Sequence, residues 1–162
     1  MLTHQQATDL GTLGYVAKAS GVPTDARSQH PFLDLGQVLA VRTHTGGDVL
    51  SRFLIRAEEI TNSVALITHL THHNSDTDTD TDTKPEPTAS GPASGVGIVE
   101  GWRGTITHRV ELDTDGTLTR VKIVDPSFFN WPALPVALTD TIGPDFPLTN
   151  KSFNLSYAGN DL

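Results

Sequence analysis

The sequence predicts an α+β fold, and two patterns carry this prediction. Between residues 48 and 67, apolar side chains recur every three or four positions, as they do in an amphipathic helix. Between residues 105 and 124, apolar and polar side chains alternate in two runs, as they do in a β-hairpin. Fourteen glycines and ten prolines in 162 residues indicate that many turns separate the elements.

The first block of the domain covers residues 1–69. Its early part is rich in glycine and proline at residues 10–14, 19–23 and 29–32, which predicts a shaped loop rather than regular structure. The long helix is predicted to begin at Asp48, because a carboxylate there can accept hydrogen bonds from the free N–H groups of the first turn. Six residues form its apolar face: Val49, Phe53, Ala57, Ile60, Val64 and Ile67.

The opposite side of this helix is polar and carries four residues: Arg52, Arg56, Glu59 and Ser63. Arg56 can reach Glu59 across one turn, and such a face is usually solvated. Two arginines four positions apart nevertheless repel each other unless each has an acidic partner. Three carboxylates lie nearby in sequence: Asp25, Asp34 and Glu58. An ionic network packed against a loop or a partner subunit is therefore the alternative interpretation.

A low-complexity insert is predicted from residue 70 to residue 97. An aspartate–threonine repeat occupies residues 76–83, and a run rich in proline, serine, glycine and alanine follows it. The carboxylates repel one another and no side chain in the repeat gains from burial. This composition predicts disorder.

Three histidines stand just before the repeat, namely His69, His72 and His73. If the helix continues, His69 and His73 lie four positions apart and could share one zinc, nickel or copper ion. Alternatively, histidines at a helix C-terminus interact favourably with the helix dipole and need no metal. Both interpretations stay open.

The second block of the same domain covers residues 98–162. Residues 106–112 and 118–124 predict two paired strands with a turn at residues 113–116. A short helix is predicted after Pro126, and a later proline constrains its continuation. The tail from residue 143 is predicted to be irregular or briefly helical.

Composition argues against several classes of function. A formal net charge of -8 disfavours binding to nucleic acid and to anionic membrane surfaces, since both need clustered lysine and arginine. No stretch is long and apolar enough to span a bilayer, and the first residues do not resemble a signal peptide, so a soluble cytoplasmic chain is expected. Without cysteine, this chain can form neither a disulfide nor a thiolate metal centre. Neither a nucleophile elbow nor a phosphate-binding glycine loop is present.

Several stretches resemble one protein family. Residues 19–32 look like the segment after the core helices in large subunits of membrane-bound nickel–iron hydrogenases and in the related D-type subunit of NADH:quinone oxidoreductase (complex I). Residues 47–59 are similar to the next helix of that family, and residues 100–104 resemble its glycine-rich strand. Residues 125–128, followed by Leu134, resemble the motif that opens its last long helix. The resemblance implies part of a mainly helical, hydrogenase-large-subunit-like domain.

Two departures from the family decide what the resemblance implies. By resemblance, the chain corresponds only to the C-terminal part of the large subunit. In addition, residues 154–162 stand where hydrogenases carry the paired cysteines that hold nickel and iron, with Ser156 and Gly159 in the cysteine positions. Hydroxyl and glycine cannot replace soft thiolate ligands, so this chain is expected to bind no redox metal. By resemblance, Asn154, Ser156, Tyr157 and Gly159 would line the remains of the active-site cavity.

The resemblance implies a subunit, or a fragment of one, in a complex-I-like or hydrogenase-like membrane oxidoreductase. An iron–sulfur small subunit and membrane subunits would be its partners, quinone could be a ligand, and the chain would lie at the cytoplasmic membrane only through those partners. Six residues would build a structural or polar network behind the cavity: Arg27, His30, Asp48, Arg52, Arg56 and Glu59. The alternatives are a non-catalytic scaffold remnant of the family and a metal-handling protein that uses the three histidines.

Overall fold

The computed structural model describes residues 1–33, 35, 38–73 and 91–162, apart from the side chain of His73. It confirms the α+β class. Eleven helices and strands follow one another in this part of the chain: α1 His4–Asp9, α2 Gly14–Lys18, α3 Ala26–Gln29, α4 Val49–His73, β1 Ala93–Gly101, β2 Gly104–Leu112, β3 Leu118–Val124, α5 Pro126–Asn130, α6 Ala133–Leu138, α7 Phe146–Phe153 and α8 Tyr157–Asn160. A 3-10 turn at Gly143–Asp145 precedes α7.

Three short helices stand where the sequence analysis predicts only a shaped loop. The predicted turns are present, but α1, α2 and α3 fill the intervals between them. Thr3 and Gln6 form a capping box at the start of α1, and Asp25 caps α3 by accepting a hydrogen bond from the Arg27 N–H. Helices of four to six residues are too short to show an apolar period, so local capping and packing define them instead.

The long helix α4 begins where the sequence predicts, since the Asp48 carboxylate accepts a hydrogen bond from the Ser51 N–H at 2.7 Å. Its orientation is the opposite of the ordinary expectation for an amphipathic helix. The face turned towards the rest of the chain buries Arg52, which is 1% exposed, together with Ile55 and Leu66. The other polar residues of this side, Arg56, Glu59 and Ser63, are partly buried. The apolar side is exposed. We call it the α4 stripe and define it by five side chains that are each about three-fifths exposed: Leu50, Phe53, Ile60, Val64 and Ile67.

Within the described residues the sheet has three antiparallel strands in the order β1-β2-β3, one more than the predicted hairpin. Gly101 pairs with Gly104, so Trp102 and Arg103 form a tight turn within the stretch that resembles a glycine-rich strand. This turn packs on the start of α2, where a Cβ on Gly14 would lie 2.2 Å from the Arg103 carbonyl oxygen. The two backbones can approach this closely only because both Gly14 and Gly104 lack side chains.

The predicted insert is narrower than residues 70–97 within the described part of the chain. Residues 70–73 continue α4, and residues 93–97 pair with β2 as part of β1. The sequence favours disorder there because Ser94, Gly95 and Gly97 have weak strand propensity, whereas pairing with β2 supplies the ladder hydrogen bonds. Residues 74–90 lie outside the described residues.

The predicted β2–β3 hairpin is confirmed, with a register shift at Glu111/Leu112. The Asp113 carboxylate accepts hydrogen bonds from the N–H groups of Asp115 and Thr117 and so closes the connecting turn. The short helix predicted after Pro126 is also present, as α5. The sheet places few side chains in the core, and most of β3 is exposed.

The core lies between the short helices and the first half of α4. Its fully or nearly fully buried members come from the first 19 residues, from α4 and from the C-terminal helices: Leu2, Ala7, Tyr15, Val16, Ala19, Ile55, Ala133, Leu134, Ala137 and Phe153. The Tyr15 hydroxyl donates a hydrogen bond to the Phe153 carbonyl and so ties α2 to the end of α7. Among the described helices, none combines the length and the apolar character needed to cross a membrane.

Candidate functional site

Four charged side chains form a closed ring of ion pairs, which we call the ionic ring: Lys18, Asp25, Arg27 and Glu59. The Lys18 ammonium lies 2.7 Å from Asp25 and 2.8 Å from Glu59. The Arg27 guanidinium lies 2.6 Å from Asp25 and 2.9 Å from Glu59. Each cation therefore contacts both anions, and the ring joins α2, α3 and α4.

The Lys18–Asp25 ion pair of the ionic ring is buried, which strengthens its electrostatic interaction. The Asp25 side chain is fully buried and that of Lys18 is 3% exposed. Burial alone would raise the pKa of Asp25, but hydrogen bonds from Arg27 and Lys18 outweigh it and lower that pKa to about 2. The same contact with Asp25 raises the pKa of Arg27 above its ordinary value. Asp25 and Arg27 are therefore both charged at neutral pH.

Glu100 of β1 is a third acidic side chain beside the ionic ring. Its carboxylate accepts hydrogen bonds from the Ala26 N–H at 2.9 Å and from the Thr105 hydroxyl at 3.1 Å. Burial raises the pKa of Glu100, and the neighbouring charge of Asp25 acts in the same direction. Two buried carboxyl groups at one site thus have pKa values displaced in opposite directions, because only Asp25 is paired directly with cations.

A groove of about 390 Å³ lies between the ionic ring and the α4 stripe, and we call it the α4 groove. Ring side chains and Glu100 line its polar side, whereas Ile60, Val64 and Ile67 line its apolar side. The ring of Tyr15 lies at one end, 6.2 Å from that of Trp102, and the Arg56 guanidinium sits 5.0 Å above its centre. Such a surface suits an occupant that is apolar on one side and polar on the other.

Arg52 is buried separately from the ionic ring. Its guanidinium donates hydrogen bonds to the Gly47 carbonyl at 3.0 Å and to the Ser152 hydroxyl at 2.9 Å. It also stacks over the Phe153 ring at 4.3 Å. Desolvation lowers the pKa of Arg52 to about 10. Arg52 therefore fixes the start of α4 against α7 through neutral partners.

The structure brings together some of the six residues predicted to form a polar network. Arg27 and Glu59 belong to the ionic ring with Asp25. The packed-network interpretation instead offers Asp25 as a partner for Arg52 or Arg56, and neither arginine pairs with it within the described residues. Arg56 is not paired with Glu59, because Lys18 and Arg27 occupy both oxygens of that carboxylate. The remaining predicted members lie elsewhere: Asp48 at the α4 start, Arg52 against Phe153, and His30 exposed at the end of α3.

Two further acidic residues are close enough in sequence to be partners for the arginines. Glu58 instead contacts His44, whose ring nitrogen lies 3.0 Å from the carboxylate. Asp34 lies outside the described residues. Sequence reasoning missed Lys18 and Glu100. Neither carries a local signal for the site, since Lys18 reaches Glu59 across 41 positions and Glu100 reaches the Ala26 N–H across 74.

The four residues expected to line a cavity lie in the C-terminal segment, away from the α4 groove. The Asn154 backbone is left-handed with a φ of 45°, and its carbonyl accepts a hydrogen bond from Arg103. The Tyr157 ring is exposed and packs on Trp131 with centroids 5.0 Å apart. The Ser156 hydroxyl accepts a hydrogen bond from the Gly159 N–H at 3.0 Å and so caps α8.

The two positions that the resemblance pairs with hydrogenase cysteines, Ser156 and Gly159, lack the thiolate ligands of a nickel–iron centre. A Cβ on Gly159 would lie 2.6 Å from Cγ of Asp125 and 2.7–2.9 Å from its carboxylate oxygens. That carboxylate is held in place because it accepts the Ser127 N–H at 2.7 Å and caps α5. Asp125 therefore fills the space that a side chain at position 159 would need. Ser156 could offer only a hard hydroxyl oxygen.

The histidine hypothesis stays a prediction. His69 and His72 lie on the last turns of α4, but the side chain of His73 is outside the described part of the chain. Among the described side chains, no group of three or more histidine, cysteine, aspartate or glutamate residues is arranged to hold a metal ion.

Comparison with known proteins identifies the family. Residues 1–90 match the family described as "Respiratory-chain NADH dehydrogenase, 49 Kd subunit", which is more than half of the 162 residues. The chain belongs to this family. The family assignment agrees with the resemblance inferred from residues 19–32 and 47–59.

The relatives of this 49 kDa family member include hydrogenases. It is 31% identical to hydrogenase-4 component G of Escherichia coli over 86% of its own length and 25% of that protein. It is 29% identical to the carbon monoxide-induced hydrogenase of Rhodospirillum rubrum over 95% of its length and 42% of that protein. The fold superimposes on a chain of the membrane-bound sulfane sulfur reductase (MBS), an archaeal respiratory membrane complex, with a TM-score of 0.78 and 24% identity, over 99% of this chain and 45% of that one. The family member thus spans less than half the length of these relatives.

Proposed function

We propose that this chain forms part of the large subunit of a complex-I-like or hydrogenase-like membrane oxidoreductase. The single observation that carries the proposal is its membership of the 49 kDa subunit family. Relatives named as hydrogenases match up to 95% of the chain, which supports the same assignment. An iron–sulfur polypeptide and membrane-spanning subunits would be its partners, and it would reach the cytoplasmic membrane through them.

The ionic ring gives this part of the subunit its proposed role. The ring holds α2, α3 and α4 in one geometry, and Glu100 reaches it from β1. A buried carboxyl group with a raised pKa can take up a proton at a higher pH than an exposed one. A redox-linked change of charge in a neighbouring polypeptide would therefore change the protonation of Glu100, while the ring keeps the surrounding backbone fixed.

No nickel–iron chemistry is assigned to this chain. Asp125 occupies the space beside Gly159. Position 156 offers only a hydroxyl oxygen as a metal ligand, and position 159 offers no side chain. The redox centre of the assembly would be an iron–sulfur cluster in the partner polypeptide. Quinone is the proposed acceptor class, by analogy with the NADH-quinone oxidoreductase relatives of this chain.

Purification of the tagged chain from membranes of its native host tests this function. The chain is expected to elute with an iron–sulfur polypeptide and with membrane-spanning subunits, identified by mass spectrometry after mild detergent extraction. A matched preparation in which the tag is placed on an unrelated acidic protein shows background binding. Recovery of the chain as a soluble monomer under these conditions would reject the proposed function.

A non-catalytic scaffold is the second candidate, and the exposed α4 stripe favours it, because large apolar patches mark interaction surfaces. The two candidates differ in what a substitution beside the ring does. If the chain takes part in electron transfer, Glu100→Gln lowers the oxidoreductase rate of membranes without changing the amount of assembled complex. If it is a scaffold, the rate follows the amount of assembled complex.

A further inference from the structure

A short segment without helix or paired strand runs beside α4, and we call residues 39–43 the edge segment. Its side chains alternate between two grooves, as they do in an extended chain. Leu39 and Val41 line the first groove, of about 550 Å³. Ala40 and Arg42 line the second groove, of about 480 Å³. Neither groove includes a residue of the α4 stripe, so the edge segment lies on a different side of the helix.

One edge of this segment is held against the body of the chain. The Ala40 N–H donates a hydrogen bond to Oδ1 of Asn62 in α4 at 3.3 Å. Just beyond the segment, the His44 N–H donates to the carbonyl of the last residue of α2 at 2.9 Å. Successive N–H groups of an extended chain point to opposite edges. Those of Val41 and Thr43 therefore point away from α2 and α4.

The outward edge is unpaired. Among the residues that the structure describes, the backbone N–H and carbonyl groups of residues 41–43 neither donate nor accept a hydrogen bond. Arg42 and Thr43 are exposed, so this edge is accessible. An unpaired extended edge is a template for pairing with another strand. The edge segment can therefore accept a strand from another polypeptide.

The second groove contains two hydrogen-bond donors that lack an acceptor. Asn62 is 9% exposed, and its side-chain nitrogen is buried without a partner in the described chain. The Arg42 guanidinium forms no ion pair with any described residue. Glu58 lines the same groove, but its carboxylate contacts the His44 ring at 3.0 Å. A buried donor without an acceptor destabilises the fold, so a carboxylate that enters this groove would be favoured.

The first groove favours an apolar occupant. Its walls include Phe32 and Leu33, whose side chains are 72% and 49% exposed, together with Leu35, Leu39 and Val41. Covering these side chains would remove apolar surface from water. The two grooves thus differ in what they would bind, although one strand along the edge segment would reach both.

A second copy of the chain does not meet these requirements. The edge segment contains no aspartate or glutamate, so two such segments paired with each other would bring two Arg42 side chains together without a carboxylate. The chain as a whole carries a net charge of -8, which also opposes self-association. The occupant is therefore a different polypeptide.

We propose that the edge segment pairs with an extended strand of a partner polypeptide, and that this strand places an aspartate or glutamate in the second groove, against Arg42 and Asn62. Directly opposed residues of paired strands share a face. The acidic residue is therefore the one opposite Arg42, and the residues opposite Val41 and Leu39 enter the first groove. The partner strand is expected to carry apolar residues one and three positions from its acidic residue. This inference goes beyond the proposed function, because the partner is defined by that pattern and not by a redox centre.

Photo-crosslinking from position 43 in cells of the native host tests the proposal. Thr43 is replaced by p-benzoylphenylalanine in the full chain, and Thr119, an exposed residue of β3, is replaced in a matched control. The adducts are purified through a tag and sequenced. The expected adduct from position 43 lies in another polypeptide, in a segment with an acidic residue and apolar residues one and three positions away. An adduct to the same chain, to a second copy, to lipid or to a segment without this pattern would overturn the proposal, as would a yield no greater than that of the control.

Two pairs of variants test the charge contact and the backbone pairing on the same adduct. Arg42→Glu should lower the yield from position 43 by about tenfold, whereas Arg42→Lys should keep most of it. Val41→Pro removes an outward N–H and should lower the yield by about tenfold, whereas Val41→Ala keeps that N–H and most of the yield. Equal yields within either pair would overturn the proposal.

Hydrogen exchange of the wild-type chain tests the pairing without any substitution. The amides of Val41 and Thr43 should exchange at least about tenfold more slowly in the assembly than in the separated chain. The amide of Gly116, in the β2–β3 turn, should exchange at the same rate in both. Equal rates at Val41 and Thr43 would overturn the proposal. If the expected adduct forms but no iron–sulfur or membrane-spanning polypeptide accompanies the chain, the proposed function fails while this inference stands.

Discussion

Replacing Asp25 with asparagine removes one of the two anions of the ionic ring and leaves the shape of the site almost unchanged. Asparagine is as good an N-cap as aspartate, so the cap of α3 should survive. What changes is the charge balance, because Lys18 and Arg27 must then share Glu59. The effect of this substitution therefore measures the electrostatic contribution of the ring.

The expected loss can be estimated from the structure. The ordinary pKa of 3.8 falls to about 2 in the folded chain. That difference corresponds to about 2 kcal/mol of folding free energy from ionised Asp25, because one pKa unit equals about 1.4 kcal/mol. Breaking a buried ion pair by removing one partner typically costs about 3–5 kcal/mol. Asp25→Asn is thus expected to lower the free energy of unfolding by about 2–5 kcal/mol at pH 7.

The pH dependence gives the prediction its sign. Because the folded pKa of Asp25 is depressed, its contribution is complete above about pH 4 and is lost as the pH falls towards 2. Urea unfolding of the wild-type chain and of Asp25→Asn at several pH values should therefore show a constant gap from pH 7 to 5 that narrows below pH 4. Asp140→Asn, at an exposed position, is the matched control. A gap below about 0.5 kcal/mol at pH 7, or one that does not narrow in acid, would refute this account of the ring.

Three further substitutions have distinct expected outcomes. Gly159→Ala should destabilise the chain by about 1–3 kcal/mol, because the added Cβ would press on the Asp125 carboxylate. Gly143→Ala is the control, since its Cβ would meet open space and should not destabilise the chain. Equal melting temperatures for the two variants would contradict the contact with Asp125. Arg52→Lys should lower the free energy of unfolding by about 2 kcal/mol in urea titrations, since a lysine cannot make both hydrogen bonds and also stack on the Phe153 ring. An unchanged free energy of unfolding would show that the planar contact of the guanidinium is unimportant. Glu100→Gln should keep or increase the free energy of unfolding at pH 7. The pKa of Glu100 is raised in the folded chain, so ionised Glu100 destabilises the fold at a pH above its unfolded pKa. A loss greater than about 1 kcal/mol in the same titrations would contradict this sign.

The sequence predicts the elements whose signals are local. The start of α4 follows from the capping chemistry of Asp48, and the β2–β3 hairpin follows from alternation around the turn at Asp113. Strand β1 is less visible because its glycines weaken the pattern, and it exists through pairing with β2. The short N-terminal helices escape prediction because each depends on a cap and on packing rather than on a period.

The orientation of α4 shows a second limit of sequence reasoning. A helical pattern reveals which residues share a face, but not which face the rest of the chain covers. Here the charged side faces the rest of the chain, because Arg52 contacts backbone and hydroxyl partners and Glu59 contacts two cations from other elements. Of the site, Arg27 and Glu59 were predicted as network members. Lys18 and Glu100 could not be, since their partners lie up to 74 positions away.

Metal analysis of this chain, after its separation from the purified membrane assembly, tests the central claim most directly. The claim is that this member of the 49 kDa family works beside an iron–sulfur partner and holds no nickel–iron centre at Ser156 and Gly159. Iron and sulfide are expected in the fraction that contains the partner, with an electron paramagnetic resonance signal on reduction. Only background nickel and iron are expected in the fraction that contains this chain. Stoichiometric nickel bound to this chain, lost on Gly159→Ala, would contradict the account.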